Sequence, residues 1–415
     1  MKFLISLAFK NLTRYKRRTL ITAGAIAVGL MMYIFIDSML MGAEIESVRN
    51  LKWFETASAR ILNDEYWENR FQKPMDLNIS SPDKIIKTLD DNGITATKRM
   101  VFSGDLILNA EDFGEDGNLA ATVTAIDPTR DFDVFNFGTT LVDGRFLEPG
   151  EDAVLLGSWF AEDIGAEVGY WITVVTRGNG GFYEAMDLEI VGILNCPNPN
   201  VNRQLLMMPI STADEYLAME GAVTEINVSL PENADVNMEV ERIQGMLNGD
   251  NLTVMSWEAM AVDYLALAEA KRGGTSMILF LIFIIAAVGI SNTMLMAIFE
   301  RIKELGMMRS LGMSNTKIRL AFMFEAAGIG VIGSVMGVVL GIFADMFIVN
   351  IGIDYGFLLR DMDIGYRLQA IFRGVWNPGT MVKAFFMGII ISIVVAYLPT
   401  KRALKMDIPS CLRHQ

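Results

Sequence analysis

Residues that commonly do chemistry are scarce in this chain, and their spacing argues mostly against catalysis. There are two cysteines, Cys196 and Cys411, and one histidine, His414. Two cysteines make neither a disulfide framework nor a zinc site of the usual ligand spacing. A single histidine at that position leaves no Ser-His-Asp triad and no histidine-rich metal centre. The sequence has no G-x-x-x-x-G-K-[ST] and no Gly-Lys dipeptide. It therefore lacks a P-loop, and any ATP hydrolysis is expected from another chain. Gly328-Ile-Gly-Val-Ile-Gly333 matches G-x-G-x-x-G. A dinucleotide site needs that motif between a strand and a helix start, whereas here it lies inside a long apolar run. Glu111-Asp-Phe-Gly-Glu-Asp116 lacks EF-hand ligand spacing and reads as a solvated acidic loop. Cys196 stands in the turn-rich Cys196-Pro-Asn-Pro-Asn200, as a free thiol or an intermolecular one. The expectation is a non-catalytic chain with no metal and no cofactor of its own.

Three acids stand where acids are expensive. Asp37, Glu325 and Asp345 lie in or near apolar runs, and an acid in a membrane segment is a functional candidate by default. All three fall near run ends, where water or headgroups reach them. A proton relay is one reading; for Glu325 a structural or dimer-contact role fits better.

The elements that carry these residues follow from hydropathy. Of 415 residues 52% are hydrophobic, with a mean hydropathy of +0.34, yet 20% are charged. Membrane segments must therefore alternate with a water-facing domain. Apolar runs cover residues 20–40, 277–299, 320–349 and 384–398. At ~1.5 Å per residue the first is about 30 Å long, the thickness of a bilayer core. It is too long for a signal-peptide core and lacks a good cleavage site after it. The fourth is the shortest, and Lys383 can extend it by snorkelling. Four transmembrane helices are expected.

Lysine and arginine in the flanks set the orientation. Residues 1–19, 300–319 and 399–415 together hold 15 basic and 3 acidic residues; the rest holds 20 basic and 46 acidic. Both termini and the 300–319 loop are expected in the cytoplasm, and the acidic domain outside. The net charge of −14 argues against nucleic acid as a partner. The expected order is a cytoplasmic amphipathic helix at 1–19, helix 1 at 20–42, an outer domain at 43–272 and helix 2 at 273–299. A cytoplasmic segment at 300–317, helix 3 at 318–349, an outer connection at 350–381, helix 4 at 382–398 and a tail at 399–415 complete it.

The outer domain reads as mixed α and β. Residues 105–109, 121–125, 171–175, 188–193 and 224–230 are strand-like, and several alternate apolar with polar residues. Residues 83–89 and 236–247 read as helices, as do 257–270, which can run on through Gly273 and Gly274 into helix 2 as a stalk. Small residues recur every four positions at Gly333, Gly337 and Gly341, at Ala23 and Ala27, and at Ala25 and Gly29. Such faces let helices approach closely, within one subunit or between two.

Three blocks together resemble the MacB/FtsX-type ABC permeases, the group that includes the lipoprotein-releasing LolC and LolE subunits. The first is Ala8-Phe-Lys-Asn-Leu-Thr-Arg14 with Lys16-Arg-Arg-Thr-Leu20. The second is Asn292-Thr-Met-Leu-Met296, Glu300-Arg-Ile-Lys-Glu-Leu-Gly306, Arg309-Ser-Leu-Gly312 and Phe324-Glu-Ala326. The third is Tyr397-Leu-Pro-Thr-Lys-Arg-Ala403, Asp407-Ile-Pro409 and Leu412-Arg413. Gly144-Arg-Phe146, Val154-Leu-Leu-Gly157, Gly169 and Val191-Gly192 add family-like pieces of the outer domain. The tail departs from the family's Pro-Ile-Glu-Ala-Leu-Arg ending, reading Ile408-Pro-Ser-Cys-Leu-Arg413 and lacking its Glu.

The resemblance implies a permease subunit whose ATPase, with its ATP and Mg, is a separate chain present in two copies beside a second permease, identical or homologous. The segment around 300–313 is then the docking element, with Glu300, Arg301, Glu304 and Arg309 for polar contacts and Gly306 and Gly312 as breaks. The implied activity moves the outer domain against a hydrophobic or lipid-linked substrate, as in lipoprotein release or drug or peptide export, at the inner membrane. The alternative is an FtsX-like mechanical regulator of a cell-wall hydrolase that transports nothing.

Overall fold

The computed structural model describes residues 10, 12–14, 16–114, 116–247, 251–354 and 371–404. Most of the expected surface helix at 1–19, half of the 350–381 connection and the tail beyond residue 404 lie outside them. The chain divides into two compact units, one of residues 1–45, 267–361 and 370–415, the other of 46–266 and 362–369.

The first unit is built from long helices. Helix α1 spans Lys16–Leu51, α2 Val262–Glu300, α3 Ile302–Ser310, α4 Asn315–Asn350 and α5 Pro378–Ala403. Among the described residues, three helices are long and apolar enough to cross a membrane: Thr19–Thr56, Asn315–Asn350 and Pro378–Ala403. That is one fewer than the four spans expected. Helix α2 holds the second apolar run, 277–299, is 39 residues long and is continuous through Gly273 and Gly274. Helix α5 begins with Asn377 as its cap, whose side chain accepts a hydrogen bond from the Thr380 amide, and with Pro378 in its first turn. There its missing N–H costs nothing, since the first amides of a helix have no partner. Part of the 350–381 connection is visible as a short antiparallel pair, Ile353–Asp354 with Ile371–Phe372.

The second unit carries a mixed ten-stranded sheet. Its strands are β1 (Ala59–Asn63), β2 (Thr95–Leu108), β3 (Gly117–Ile126), β4 (Leu141–Gly144), β5 (Ala153–Gly157), β6 (Trp171–Arg177), β7 (Tyr183–Leu194), β8 (Leu206–Pro209), β9 (Glu225–Ser229) and β10 (Leu252–Ser256). They lie in the order β10-β1-β9-β2-β3-β8-β5-β7-β4, with β6 paired to β2 and β7. Pairs β3–β8 and β5–β7 are parallel; the others are antiparallel. All five stretches expected to be strands fall on strands of this sheet. The ones not foreseen include β5 and β8, whose residues are all buried. A strand covered on both faces has no alternation to detect.

The long hairpin β2–β3 sets the geometry of one face. Its register pairs Val101 with Thr124, Phe102 with Val123 and Ser103 with Thr122. Met100, Phe102, Val123 and Ala125 are buried in the main core. Strand alternation puts Arg99, Val101, Thr122 and Thr124 on the other face. A second core joins β1, β9 and β10 to helices Pro82–Asp91 and Val236–Met246 through Ile85, Ile86, Leu89 and Ile243. The Gln244 side chain fastens the latter helix to β10, donating to the Leu252 carbonyl and accepting from the Val254 amide.

Candidate functional site

The turn from α2 to α4 is built by local rules. Helix α3 ends at Ser310, and Gly312 follows in the left-handed region at φ 84°. The Met313 amide donates to the Met308 carbonyl and the Gly312 amide to Arg309. This is the paired bonding of a Schellman stop, which needs a residue without Cβ strain at that position. Met308 and Met313 pack together with Ile298, Ile318 and Phe322, the apolar contact that accompanies such an ending.

A charge network pins this turn to α4. Arg301 is 6% exposed and Glu325 2%. The Arg301 Nη1 donates to Glu325 Oε2 at 3.0 Å and its Nε to Glu304 Oε2 at 2.7 Å. Glu304 also lies 3.6 Å from Arg14. A buried guanidinium is tolerable only with carboxylates on its donors, and Arg301 has two. The sequence singled out Arg301 as a docking contact and Glu325 as a packing acid. The structure joins the two within the chain, so that Arg301 holds the turn from inside.

The outward face consists of other residues. Glu300, Lys303, Met307, Ser310 and Leu311 are exposed, Met307 by 51% and Leu311 by 87%. Lys303, Met307 and Ser310–Leu311 recur at helical spacing and share one side of α3. Ile302 and Gly306, on the opposite side, are buried. Glu304 and Arg309 are half-buried between the two faces, and Gly312 is exposed beyond the helix end. Sequence reasoning named the charged and glycine positions of this segment but passed over Met307 and Leu311. Two large apolar residues within a charged segment are the signal that was there to find.

The small-residue faces meet inside the chain. A Cβ on Gly333 would stand 2.9 Å from the Ala23 carbonyl oxygen, and one on Gly337 3.0 Å from that of Ala27 and 2.9 Å from the Leu30 Cβ. A Cβ on Gly341 would stand 2.8 Å from Ile34. Ala23 and Ala27 are buried in this contact, whereas Ala25 is exposed and Gly29 half-buried. The α4 glycines thus let α1 come close, as van der Waals packing in lipid requires. The other helix-end acids are placed too. Asp37 accepts from the Asn377 side chain at 2.9 Å. Asp345 is 1% exposed, and neither carboxylate oxygen has a hydrogen-bond partner among the described residues.

In the sheet domain Cys196 is 4% exposed. Burial pushes its thiol up to about 12, and the thiol donates a hydrogen bond to the Asn198 carbonyl. Among the described residues Cys196 is a free, buried thiol. The buried pair Arg99–Asp131, bidentate at 2.7 Å on both bonds, had no counterpart in the sequence reading.

Two family models match. The MacB-like periplasmic core domain covers residues 19–246, more than half of the chain, and the FtsX-like permease C-terminal domain covers 276–408. The chain belongs to the MacB/FtsX-type ABC transporter permeases. Its relatives include the lipoprotein-releasing system transmembrane protein LolC of Neisseria meningitidis, 24% identical over 79% of this chain and 80% of that one. An uncharacterized ABC transporter permease of Methanocaldococcus jannaschii is 23% identical over 99% of this chain and 97% of its own. The macrolide export ATP-binding/permease protein MacB of Escherichia coli is 25% identical over 54% of this chain, but that span is 33% of MacB. Among solved structures, the periplasmic region of MacB from Actinobacillus actinomycetemcomitans covers 52% of this chain at 16% identity and a TM-score of 0.37. As a permease of this family the protein is a membrane chain with a periplasmic core domain; the first match spans α1 and most of the sheet unit, and the second spans most of α2 together with α3, α4 and α5.

Proposed function

We propose that this permease transmits ATP-driven movement from a separate ATPase chain to its sheet domain, through the outward face of α3. The observation that carries the reading is the combination at 300–313: a short helix locked from inside by Arg301, offering Glu300, Lys303, Met307 and Leu311 outward. A transmitting element must be stiff toward its own chain and free toward its partner, and this one has both properties. The assembly has two ATPase copies, which hold the ATP and Mg, and a second permease, identical or homologous. Helix α2 is its fourth span, both termini and α3 lie in the cytoplasm, and the sheet domain lies in the periplasm against the inner membrane. The substrate is hydrophobic or lipid-linked, the class to which the lipoprotein release named for LolC belongs.

The test is affinity purification of the tagged chain from its native membrane in mild detergent, with mass spectrometry of what accompanies it. An ATPase should accompany the unaltered chain and be lost from Met307→Asp/Leu311→Asp, whose melting temperature should stay unchanged because both side chains are exposed. Retention of the ATPase by that variant refutes docking on α3. Absence of any ATPase from the unaltered chain refutes the coupling itself.

A further inference from the structure

A cavity of about 380 Å³ opens within the sheet domain, among residues of the 46–266 unit alone. Its volume falls in the range of small-ligand clefts. One wall is the outer face of the β2–β3 hairpin, with Val101, Thr122 and Thr124; Leu205 and Met207 continue it. The opposite side is the segment after β1, with Trp67, Arg70, Phe71 and Lys73.

The charges here do not balance. Four lining residues are cations, and two of them are spoken for. Arg60 pairs with Glu225 at 3.0 Å, and Arg99 with Asp131 at 2.7 Å. Arg70 and Lys73 have no carboxylate within 4.0 Å among the described residues. Arg70 stacks over Trp67 and Phe71, 4.4 and 4.5 Å from the ring centres, and donates to the Trp67 carbonyl at 2.7 Å. The Lys73 ammonium reaches only hydroxyls, those of Thr122 and, at 3.4 Å, Ser103. Its backbone is left-handed at φ 49°, a conformation that a side chain adopts only when its surroundings impose it. The remaining acid, Glu55, is exposed and accepts from Asn198 at 3.1 Å. A half-buried ammonium on neutral donors, beside aromatic and aliphatic walls, lacks an anion.

We propose that this cavity binds an amphipathic anion, its carboxylate or phosphate held by Lys73 and Arg70 and its apolar part lying between Trp67–Phe71 and the Val101–Met207 wall. The Thr122 and Thr124 hydroxyls add neutral donors beside the charge, and the exposed Phe71, 81% accessible, is free to cover an acyl tail. The substrate class agrees with the one proposed above, but the site owes nothing to ATPase docking.

The experiment is photolabelling of the full chain in phosphatidylcholine nanodiscs with a diazirine-bearing decanoate, without ATP or any ATPase, so that its failure leaves the coupling reading untouched. Label should appear on peptides containing Trp67 and Phe71 or Leu205 and Met207. Decanoate and decyl phosphate should compete; decyl maltoside and inorganic phosphate should not, since one lacks the charge and the other the tail. Lys73→Met should weaken competition about tenfold, the loss of one charge-assisted hydrogen bond, and Lys73→Arg should restore it. Val101→Trp, which fills the cavity, should abolish labelling. Repeating the assay in phosphatidylglycerol discs separates the sources: lost label means that a bilayer lipid supplies the anion, and persistent label means that a carried amphiphile does. Equal competition by decyl maltoside, or label confined to the membrane helices, overturns the proposal.

Discussion

Two buried arginine–carboxylate pairs hold the two units of this permease, and they are built differently. In the sheet domain Arg99 and Asp131 are 4% and 0% exposed, joined by two parallel bonds of 2.7 Å, with the guanidinium 3.4 Å above the Phe135 ring. Burial pushes the Asp131 carboxyl up, and Arg99 opposes that rise. Asp131 has no second cation within 4.0 Å among the described residues. In the helical unit Arg301 divides its donors between Glu325, buried, and Glu304, whose side chain is 33% exposed and lies near the solvated Arg14. The first pair is closed, and the second is open at one end. A closed pair fixes a core. An open pair can lose one partner and keep the other, which suits the transmitting role proposed above for this turn.

The largest expected effect comes from opening the closed pair. Asp131→Ala leaves a buried guanidinium without the carboxylate that pairs it among the described residues, and breaking such a pair costs about 3–5 kcal/mol. The melting temperature should fall by on the order of 10 °C, read by scanning calorimetry or by tryptophan fluorescence. Replacing both residues with apolar ones, as Arg99→Met/Asp131→Leu, should recover most of the loss, because the desolvation of both charges is then avoided. A double variant no better than Asp131→Ala would mean that Arg99 matters through its stacking on Phe135 rather than through the pair.

The open pair should respond more weakly and less additively. Glu304→Gln should cost about 1 kcal/mol or less, since Glu325 still neutralises Arg301, and Glu325→Gln about 1–3 kcal/mol because it is the buried member. Removing both takes these two carboxylates from the buried guanidinium together, so the double variant should exceed the sum of the singles by about 0.5–3 kcal/mol. The double-mutant cycle, measured by thermal unfolding in detergent, decides the matter. Additive losses would show that the two carboxylates do not share Arg301.

These two clusters were not equally legible in the sequence. The apolar runs announced the helices, and the basic segment after the second run drew attention to Arg301. Glu325 was noticed as an acid in an apolar run. What stayed hidden was that the two belong together across 24 positions, because the α3 turn that joins them depends on the Gly312 stop. Alternation revealed part of β2, β3, β6 and β7, and failed for β5 and β8, which are covered on both sides. Arg99 and Asp131 lie 32 positions apart, each one charge among many in an acidic domain, with nothing local to link them. The cavity is harder still. Lys73, Val101, Thr122 and Met207 come from four separate segments, and only the register of β2 with β3 and of β3 with β8 brings three of them to one wall.

An exposed pair completes the comparison and should give the smallest effect. Arg145 and Glu151 are joined at 2.7 and 3.0 Å with side chains 50% and 20% exposed. Burial acts to raise the Glu151 carboxyl, but the bonds from Arg145 and the Glu148 amide outweigh it and hold the carboxyl below its ordinary value of 4.5. A carboxylate with a lowered folded pKa binds fewer protons folded than unfolded, so stability rises with pH across that interval. Its contribution is fully present above pH 4.5 and is lost as the pH falls through the lower folded value. Water screens this pair, so the contribution should be under about 1 kcal/mol and the melting temperature should drop by no more than about 2–4 °C on its account. The measurement compares unfolding between pH 6 and pH 3 for the unaltered chain and Arg145→Gln, at low salt and at about 1 M salt, where screening acts within a few ångströms. The variant should show a shallower acid slope, and high salt should erase most of the difference. A slope unchanged by Arg145→Gln would assign the lowered pKa to the Glu148 amide alone, and would leave burial, rather than pairing, as what separates this site from Asp131.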